Sequence, residues 1–270
     1  MSCVVLMVGG AGNPVNANTS LVRSAFRPSD DATIFQFLIP SNAFICVELR
    51  HLSTILRSLK GQPLESMDAI AFLAEKAESM SAAIAAGIKN HALFHHPSFG
   101  QVYAYEVDGY GGRVFMDDAN LPSLLSLPLL GFLDKTDPIY LSTRAMVLSR
   151  EGNPYYLVGK QFRGIGGPHI GIMHAWPMSV LVQIMTTDDD EEILQLLDMV
   201  KRSTAGLGLM HESGNPRVTT SLTVVHVNRV MDYTRPWFAW ANGLFGETIL
   251  DLVARKPHLV LEKGYKHDTS

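Results

Sequence analysis

An all-α protein, built as a toroid or bundle of helical hairpins, is what this sequence predicts, and three observations carry that expectation. Two long amphipathic stretches are joined by a short Gly/Pro segment. A second pair of helical stretches lies further along, and a last one closes the chain. Nowhere do strands and helices alternate as a dinucleotide-binding fold or a TIM barrel would require.

The elements follow in order. Residues 9–18 are rich in Gly and Asn and read as a turn-rich loop. Ser41 can cap a helix in which Phe44, Val47, Leu52, Ile55, Leu56 and Leu59 recur at helical spacing, and Gly61 with Pro63 ends it. Ser66 opens the second helix, with Phe72, Leu73, Met80, Ile84 and Ile88 on one side and many alanines for close packing. Residues 101–107 alternate like a short strand, and Asp108-Gly109-Tyr110-Gly111-Gly112 turns it. Residues 116–120 read as a polar loop, and 121–133 and 137–148 as short helices with proline starts. Residues 159–171 form a glycine-rich connection. Residues 175–186 and 188–203 make the second hairpin, the latter opening on three aspartates and two glutamates, as the helix dipole favours. Residues 206–216 are loop, and 235–255 form the final helix, carrying Trp237, Trp240, Leu244 and Ile249.

Composition excludes several function classes. With 270 residues the chain can bury a sizeable core, and 47% apolar against 18% charged residues describe a globular protein. A net charge of -4 argues against a phosphate-binding face, so nucleic acid is not an expected partner. The two cysteines, Cys3 and Cys46, exclude a disulfide scaffold and a Cys-rich zinc site. No run approaches the roughly 18 apolar residues of a membrane span. The segment before Gly9 has a short apolar core without a basic start, a poor signal peptide.

Polar groups concentrate beside glycine or aromatics in four places. Arg27-Pro28-Ser29-Asp30-Asp31 joins a cation, a rigid turn and two carboxylates. Adjacent carboxylates are unfavourable unless neighbours stabilise them or one keeps its proton, and a protonated carboxyl is what a general acid needs. The plainer reading is a helix-entry turn with an Asp cap and an Arg counter-ion. A second acidic pair, Asp117-Asp118, stands with Asn120 at an expected helix entrance, as N-cap charge or as sugar-binding groups. The third place, residues 164–171, brings His169 near Trp176; it lacks the Lys and Ser/Thr of a phosphate loop. In the fourth, His211-Glu212 sits among small residues, where Glu212 is a surface charge or a base. His91 and His95 stand at helical i, i+4 spacing and His95-His96 are adjacent, but no third ligand is placed near either pair, and His211-Glu212 does not extend to a zinc-protease helix, so neither a metal nor a cofactor is expected. Carboxylates, aromatics and histidines on loops between helices remain, and two carboxyls flanking a bond are the minimal apparatus of glycoside hydrolysis.

Taken together, RPSDDATIFQFLIPSN, YAYEVDGYGG with MDDANLPSLLSLPLLG, GIGGPHIG with WPMS, TAGLGLMHES and TRPWFAWANGLFGE resemble glycoside hydrolase family 125, the metal-independent exo-α-1,6-mannosidases. The motifs run in the family's order from about Gly10 to Pro257. The resemblance implies an (α/α)6 toroid, a single hydrolase domain over 1–270, and removal of terminal α-1,6-linked mannose with inversion, without metal or cofactor. It puts the general acid at Asp30 or Asp31, with Asp31 favoured, and the base at Glu212, with Glu247 as the fallback. An inverting pair stands roughly 6.5–9.5 Å apart to admit the attacking water. Arg27, Asp117, Asp118, Asn120, His169, Trp176, His211 and Arg235 become candidates for mannose contact or for supporting the acid and base. Mannose-containing glycans are the implied partners, and such substrates suggest the secretory pathway. Two departures from the family pattern stand out. A Gly-Asp-Ile-Pro…Trp-Leu-Arg-Asp type segment, which lies upstream in family members, has no match, so an N-terminally incomplete toroid is expected. Residues 214–227 read as a β-branched, unhelical insertion beside the base. The competing expectations are an inactive, truncated relative that binds mannosides, and another six-hairpin glycosidase.

Overall fold

The computed structural model describes residues 12–59, 67–170, 174–211, 225–228 and 236–261. It divides into two compact units, Met1–Asn153 and Pro154–Ser270.

In the first unit, strand β1 (Phe37–Leu38) runs straight into helix α1 (Ile39–Ser58), which packs along helix α2 (Met67–His91). Helix α1 begins two residues before the expected cap. Its N-cap is Leu38, without a side-chain bond, and Pro40 stands in the first turn, where its missing N–H costs nothing. Small residues form much of the seam: Ala43, Cys46 and Val47 of α1 and Ala74, Ala77, Ser81 and Ile84 of α2 are buried. The Ser81 hydroxyl donates to the Cys46 carbonyl at 2.7 Å. Phe44, Leu52, Ile55, Phe72, Leu73 and Met80, expected at helical spacing on the packing side, are instead exposed. Helical periodicity marks an apolar stripe without saying which stripe meets the neighbour. Gly61, Pro63 and Ser66, the expected stop and start, lie outside the described residues.

After α2 the chain turns into short antiparallel pairs. Strand β2 (Leu93–His96) pairs with β3 (Gly100–Tyr103), and β4 (Glu106–Val107) pairs with both β1 and β5 (Arg113–Val114). The single strand expected over 101–107 is therefore two. His91 ends α2 while His95 lies in β2, so the two do not share a helix face. Asp108 closes the β4–β5 loop by accepting the amides of Tyr110 and Gly112, and Gly109 takes φ +79° there.

The short helix expected over 121–133 is a run of turns, with bonds from Ser126 N to Ser123 O and from Gly131 N to Pro128 O. Pro128 has no N–H to give to a helix and its ring crowds the preceding turn. Helix α3 (Pro138–Val147) forms as expected: Pro138 opens it and the Asp137 carboxylate accepts the amides of Ile139 and Tyr140, both at 2.9 Å.

The second unit opens with a hairpin, β6 (Tyr156–Val158) with β7 (Arg163–Ile165), where a plain glycine-rich connection was expected. Strand β8 (His174–Ala175) leads into α4 (Pro177–Met185), and α5 (Asp190–Arg202) follows. Helix α4 is buried from Pro177 to Ile184 and apolar except for Ser179 and Gln183, the pattern of a helix surrounded by protein. Asp189 caps α5 by accepting from Glu191 N and Glu192 N. Strand β9 (Val225–His226) pairs with β8, so the end of the unhelical 214–227 stretch is strand, as β-branched residues favour. Val227 is buried and its carbonyl accepts the amides of Gln161 and Phe162. Helix α6 (Ala239–Arg255) starts later than 235. Arg255 holds the end of α4 by donating to Ile184 O at 2.7 Å and Thr187 O at 2.8 Å. A cation there satisfies carbonyls left open at a helix C-terminus.

The expectation of a helical protein holds, with six α-helices among the described residues. The departure from a purely helical chain is the set of short strand pairs between them. Among the described residues no helix is long and apolar enough to cross a membrane.

Candidate active site

The first unit's site is built on a hairpin tip. Phe26 and Ala32 form an isolated antiparallel bridge, and the intervening residues close on themselves through Arg27 N to Asp31 O, 2.8 Å, and Asp30 N to Arg27 O, 3.0 Å. Pro28 takes the second position of the turn, where its fixed φ is suited, and Asp30 follows at φ +67°. A turn ending in a left-handed residue is the usual three-residue hairpin loop, and Asp tolerates that region better than most residues. The plainer reading of the segment as a turn is thus correct, though the turn enters a hairpin and not a helix.

The turn sorts its side chains. Arg27 and Ser29 point into the protein and are buried, Asp31 is half-buried, and Asp30 is exposed. Arg27 Nε donates to Glu106 Oε1 at 2.6 Å, and both side chains are almost wholly buried. Burial works to lower the Arg27 pKa, but the hydrogen bond and charge of Glu106 outweigh it, and the net direction is up. Glu106 Oε2 accepts the amides of Ile34 and Phe35 at 2.8 and 3.0 Å, so both carboxylate oxygens are used. The guanidinium carbon lies 5.5 Å from the centre of the Tyr105 ring. Among the described residues, Arg27 Nη2 and the Tyr105 hydroxyl are buried without a hydrogen-bond partner.

The second acidic pair lies beneath this tip. Residues 116–120, expected as a polar loop, are buried throughout. Asp117 accepts Leu124 N at 2.8 Å on one oxygen and Leu125 N at 2.9 Å on the other, capping the turn that follows. Burial pushes its carboxyl up to about 8, against the pull of those two amides. Asp118 Oδ1 accepts the backbone and side-chain N–H groups of Asn120 at 3.0 and 2.8 Å. Its Oδ2 faces the Ser29 hydroxyl at 3.1 Å. Burial raises the Asp118 pKa, while Asn120, Ser29 and the Arg27 charge oppose the rise. Ser29 Oγ is also 3.1 Å from Asp31 Oδ2. Asp31, Asp118 and Asn120, chosen from sequence, are therefore linked through Ser29, and the charge of Arg27, also chosen from sequence, acts on Asp118.

Glu106, Ser29 and Tyr105 complete that network and were missed. Glu106 left a signal: one acid within Val102-Tyr103-Ala104-Tyr105-Glu106-Val107, an otherwise apolar stretch, implies a buried counter-ion.

In the second unit, Trp176 caps α4 and is buried, and its Nε1 has no partner among the described residues. Its backbone N–H donates to Ile165 O at 3.0 Å, and its ring meets Phe238 at 6.2 Å between centres. Asn242, in the first turn of α6, pairs with the backbone of Met210, accepting its N–H at 3.0 Å and donating to its carbonyl at 2.8 Å. That clamp fixes the approach to His211, which is buried with Nδ1 2.9 Å from Pro236 O. His169 and Glu247 are exposed. Glu212 and Arg235 lie outside the described residues. Among the described residues no group of three or more His, Cys, Asp or Glu could hold a metal ion.

The chain resembles known proteins along nearly its whole length. It is 55% identical over 255 residues, 94% of its length, to the meiotically up-regulated gene 157 protein of Schizosaccharomyces pombe, covering 46% of that protein. Its fold matches, with a TM-score of 0.82 and 36% identity, a Streptococcus pneumoniae protein of a family of metal-independent alpha mannosidases. That protein was solved in a non-productive complex with alpha-1,6-mannobiose, and the match covers 93% of this chain and 55% of that one. The chain thus spans about half the length of the relatives it matches. The sequence profile described as metal-independent alpha-mannosidase matches residues 4–250, and the chain belongs to that family, glycoside hydrolase family 125.

Proposed function

We propose that this chain carries catalytic machinery of an exo-α-mannosidase that removes terminal α-1,6-linked mannose with inversion and without a metal. The supporting observation is the hairpin tip, where half-buried Asp31 shares the Ser29 hydroxyl with buried Asp118. A carboxyl so placed can lie open to substrate on one side and keep fixed polar partners on the other. Asp31 is assigned as the general acid that protonates the leaving oxygen; Asp30, exposed at φ +67°, is assigned to the turn. Glu212 is assigned as the base that takes a proton from the attacking water, with Glu247 the fallback. The water attacks the anomeric carbon as the bond to the leaving oxygen breaks, so the sugar is released with inverted configuration.

Asp117, whose two oxygens both accept amides, is assigned to supporting the turn beneath the acid and not to direct mannose contact. Arg27, Asp118 and Asn120 are assigned to the acid's support. Trp176, His169, His211 and Arg235 are assigned to substrate contact or to the base. The hairpins α1–α2 and α4–α5 and the likeness to the Streptococcus protein support an (α/α)6 toroid and a single hydrolase domain over the chain. Mannose-containing glycans would be the partners, met in the secretory pathway.

Incubation with α-1,6-mannobiose, followed by proton NMR of the first-formed mannose, tests the proposal. The expected result is β-mannose appearing first and mutarotating later, insensitive to chelator. First release of α-mannose would overturn inversion, chelator-sensitive turnover would overturn the metal-free mechanism, and binding without turnover would leave a mannoside-binding relative.

A further inference from the structure

Resting on the assignment of Asp31 as the acid, we infer that Ser29 and Asp118 form a proton-sharing chain with Asp31, and that Ser29 is the positioning residue that couples the two carboxyls. The argument is one of counting. Ser29 Oγ lies 3.1 Å from Asp31 Oδ2 and 3.1 Å from Asp118 Oδ2, yet a hydroxyl has a single hydrogen to donate. With both carboxyls ionised, one of the two contacts would set lone pair against lone pair at the buried Ser29 hydroxyl, which costs free energy. Both contacts become hydrogen bonds when one carboxyl carries a proton and gives it to Ser29, whose own hydrogen turns to the other.

Two arrangements satisfy that count. In one, Asp31 is the acid and donates to Ser29 Oγ, while Ser29 donates to an ionised Asp118. In the other, Asp118 is the acid, and Ser29 donates to an ionised Asp31. They interconvert when the proton on Asp118 Oδ2 moves to Ser29 Oγ as the Ser29 hydrogen moves to Asp31 Oδ2; no atom is gained or lost. The first arrangement is the form loaded to donate to a leaving oxygen, and the second holds the same proton in reserve on Asp118; once the proton is donated both carboxyls are ionised, and one proton returns from water to restore the pair.

The surroundings permit both. The ionised form of Asp118 is supported by the two Asn120 N–H groups on Oδ1 and by the charge of Arg27, whose own counter-ion is Glu106. Its neutral form is supported by burial. Tyr105, also fully buried, adds an uncharged hydroxyl to this group. Two carboxyls bridged by one hydroxyl titrate as a pair and not as separate acids.

Carboxyl-carbon NMR titration of the full chain labelled in aspartate, with Asp31→Asn and Asp118→Asn to assign the resonances, reads the coupling without requiring turnover. In the native chain the Asp31 and Asp118 signals should each show two inflections. Ser29→Ala should reduce each to one, and Ser29→Thr, which keeps the hydroxyl, should restore two. Asp118→Asn should likewise leave Asp31 with one, an independent arm should Ser29→Ala fail to fold. In hydrolysis, Ser29→Ala should move the basic limb of kcat/KM to lower pH, while Ser29→Thr leaves it in place. Two inflections surviving in Ser29→Ala, or a single one in the native chain, would overturn the inference with the acid assignment intact. Undiminished hydrolysis by Asp31→Asn would overturn the acid assignment and leave the titration result standing.

Discussion

Asp30-Asp31 and Asp117-Asp118 look alike in the sequence, each an acidic pair ahead of an apolar stretch, but they occupy opposite environments. The first sits on a hairpin tip with one carboxyl exposed and the other half-buried. The second is wholly buried, with three of its four oxygens bonded to N–H groups and the fourth facing Ser29. An acidic dipeptide thus carries no fixed role. In the exposed pair the left-handed backbone at Asp30 turns adjacent side chains apart. In the buried pair, nearby amides compensate for the loss of water.

Substitutions at four positions would break or sharpen that contrast. Asp31→Asn should lower kcat on α-1,6-mannobiose by about 10²–10⁴-fold, the usual worth of a general acid, while Asp30→Asn should stay near the native rate; equal losses in both would erase the distinction drawn within the first pair. Glu106→Gln leaves the buried Arg27 charge without its counter-ion. Chemical denaturation should register a loss of about 3–5 kcal/mol, as when one partner of a buried ion pair is removed, and a loss under about 1 kcal/mol would show that water reaches Arg27.

Asp117→Asn tests the buried pair through pH. The native-state pKa of about 8 lies above the ordinary carboxyl value of 3.8, so between those limits the folded chain holds a proton that the unfolded chain has released. The Asp117 contribution is therefore fully present below the unfolded value and is lost as pH rises toward 8. Its limiting slope is about 1.4 kcal/mol per pH unit. Denaturation midpoints of the Asn variant across pH 4–8 should lack this component, and an unchanged slope would show that Asp117 is ionised in the folded state. The smallest effect is expected at Asp30→Gly. Relief of the left-handed φ should stabilise by no more than about 1 kcal/mol, and Asp30→Val should act in the opposite direction; thermal melts distinguish the two.

Elements that depend on near neighbours were legible. The Asp137-Pro138 and Asp188 to Glu192 helix starts follow from caps and dipoles acting within one turn, and Arg27-Pro28-Ser29-Asp30-Asp31 closes through its own backbone. What depends on distant partners was not. Glu106 pairs with Arg27 across 79 positions, and Ser29 meets Asp118 across 89, separations that no local pattern encodes. The turns at 121–133 mark an intermediate case: the expected helix with a proline start fails at Pro128, which is present in the sequence and breaks it.

By itself the sequence determined the family, the helical hairpins and the turn at Arg27 to Asp31, because ordered motifs, helical periodicity and turn chemistry are all written locally. Only the tertiary structure decided which apolar stripes face the α1–α2 seam, which acidic pair keeps contact with water, and which groups satisfy the others. The reason is that burial belongs to the assembled chain: a carboxylate's charge depends on the amides, hydroxyls and guanidinium that folding brings to it.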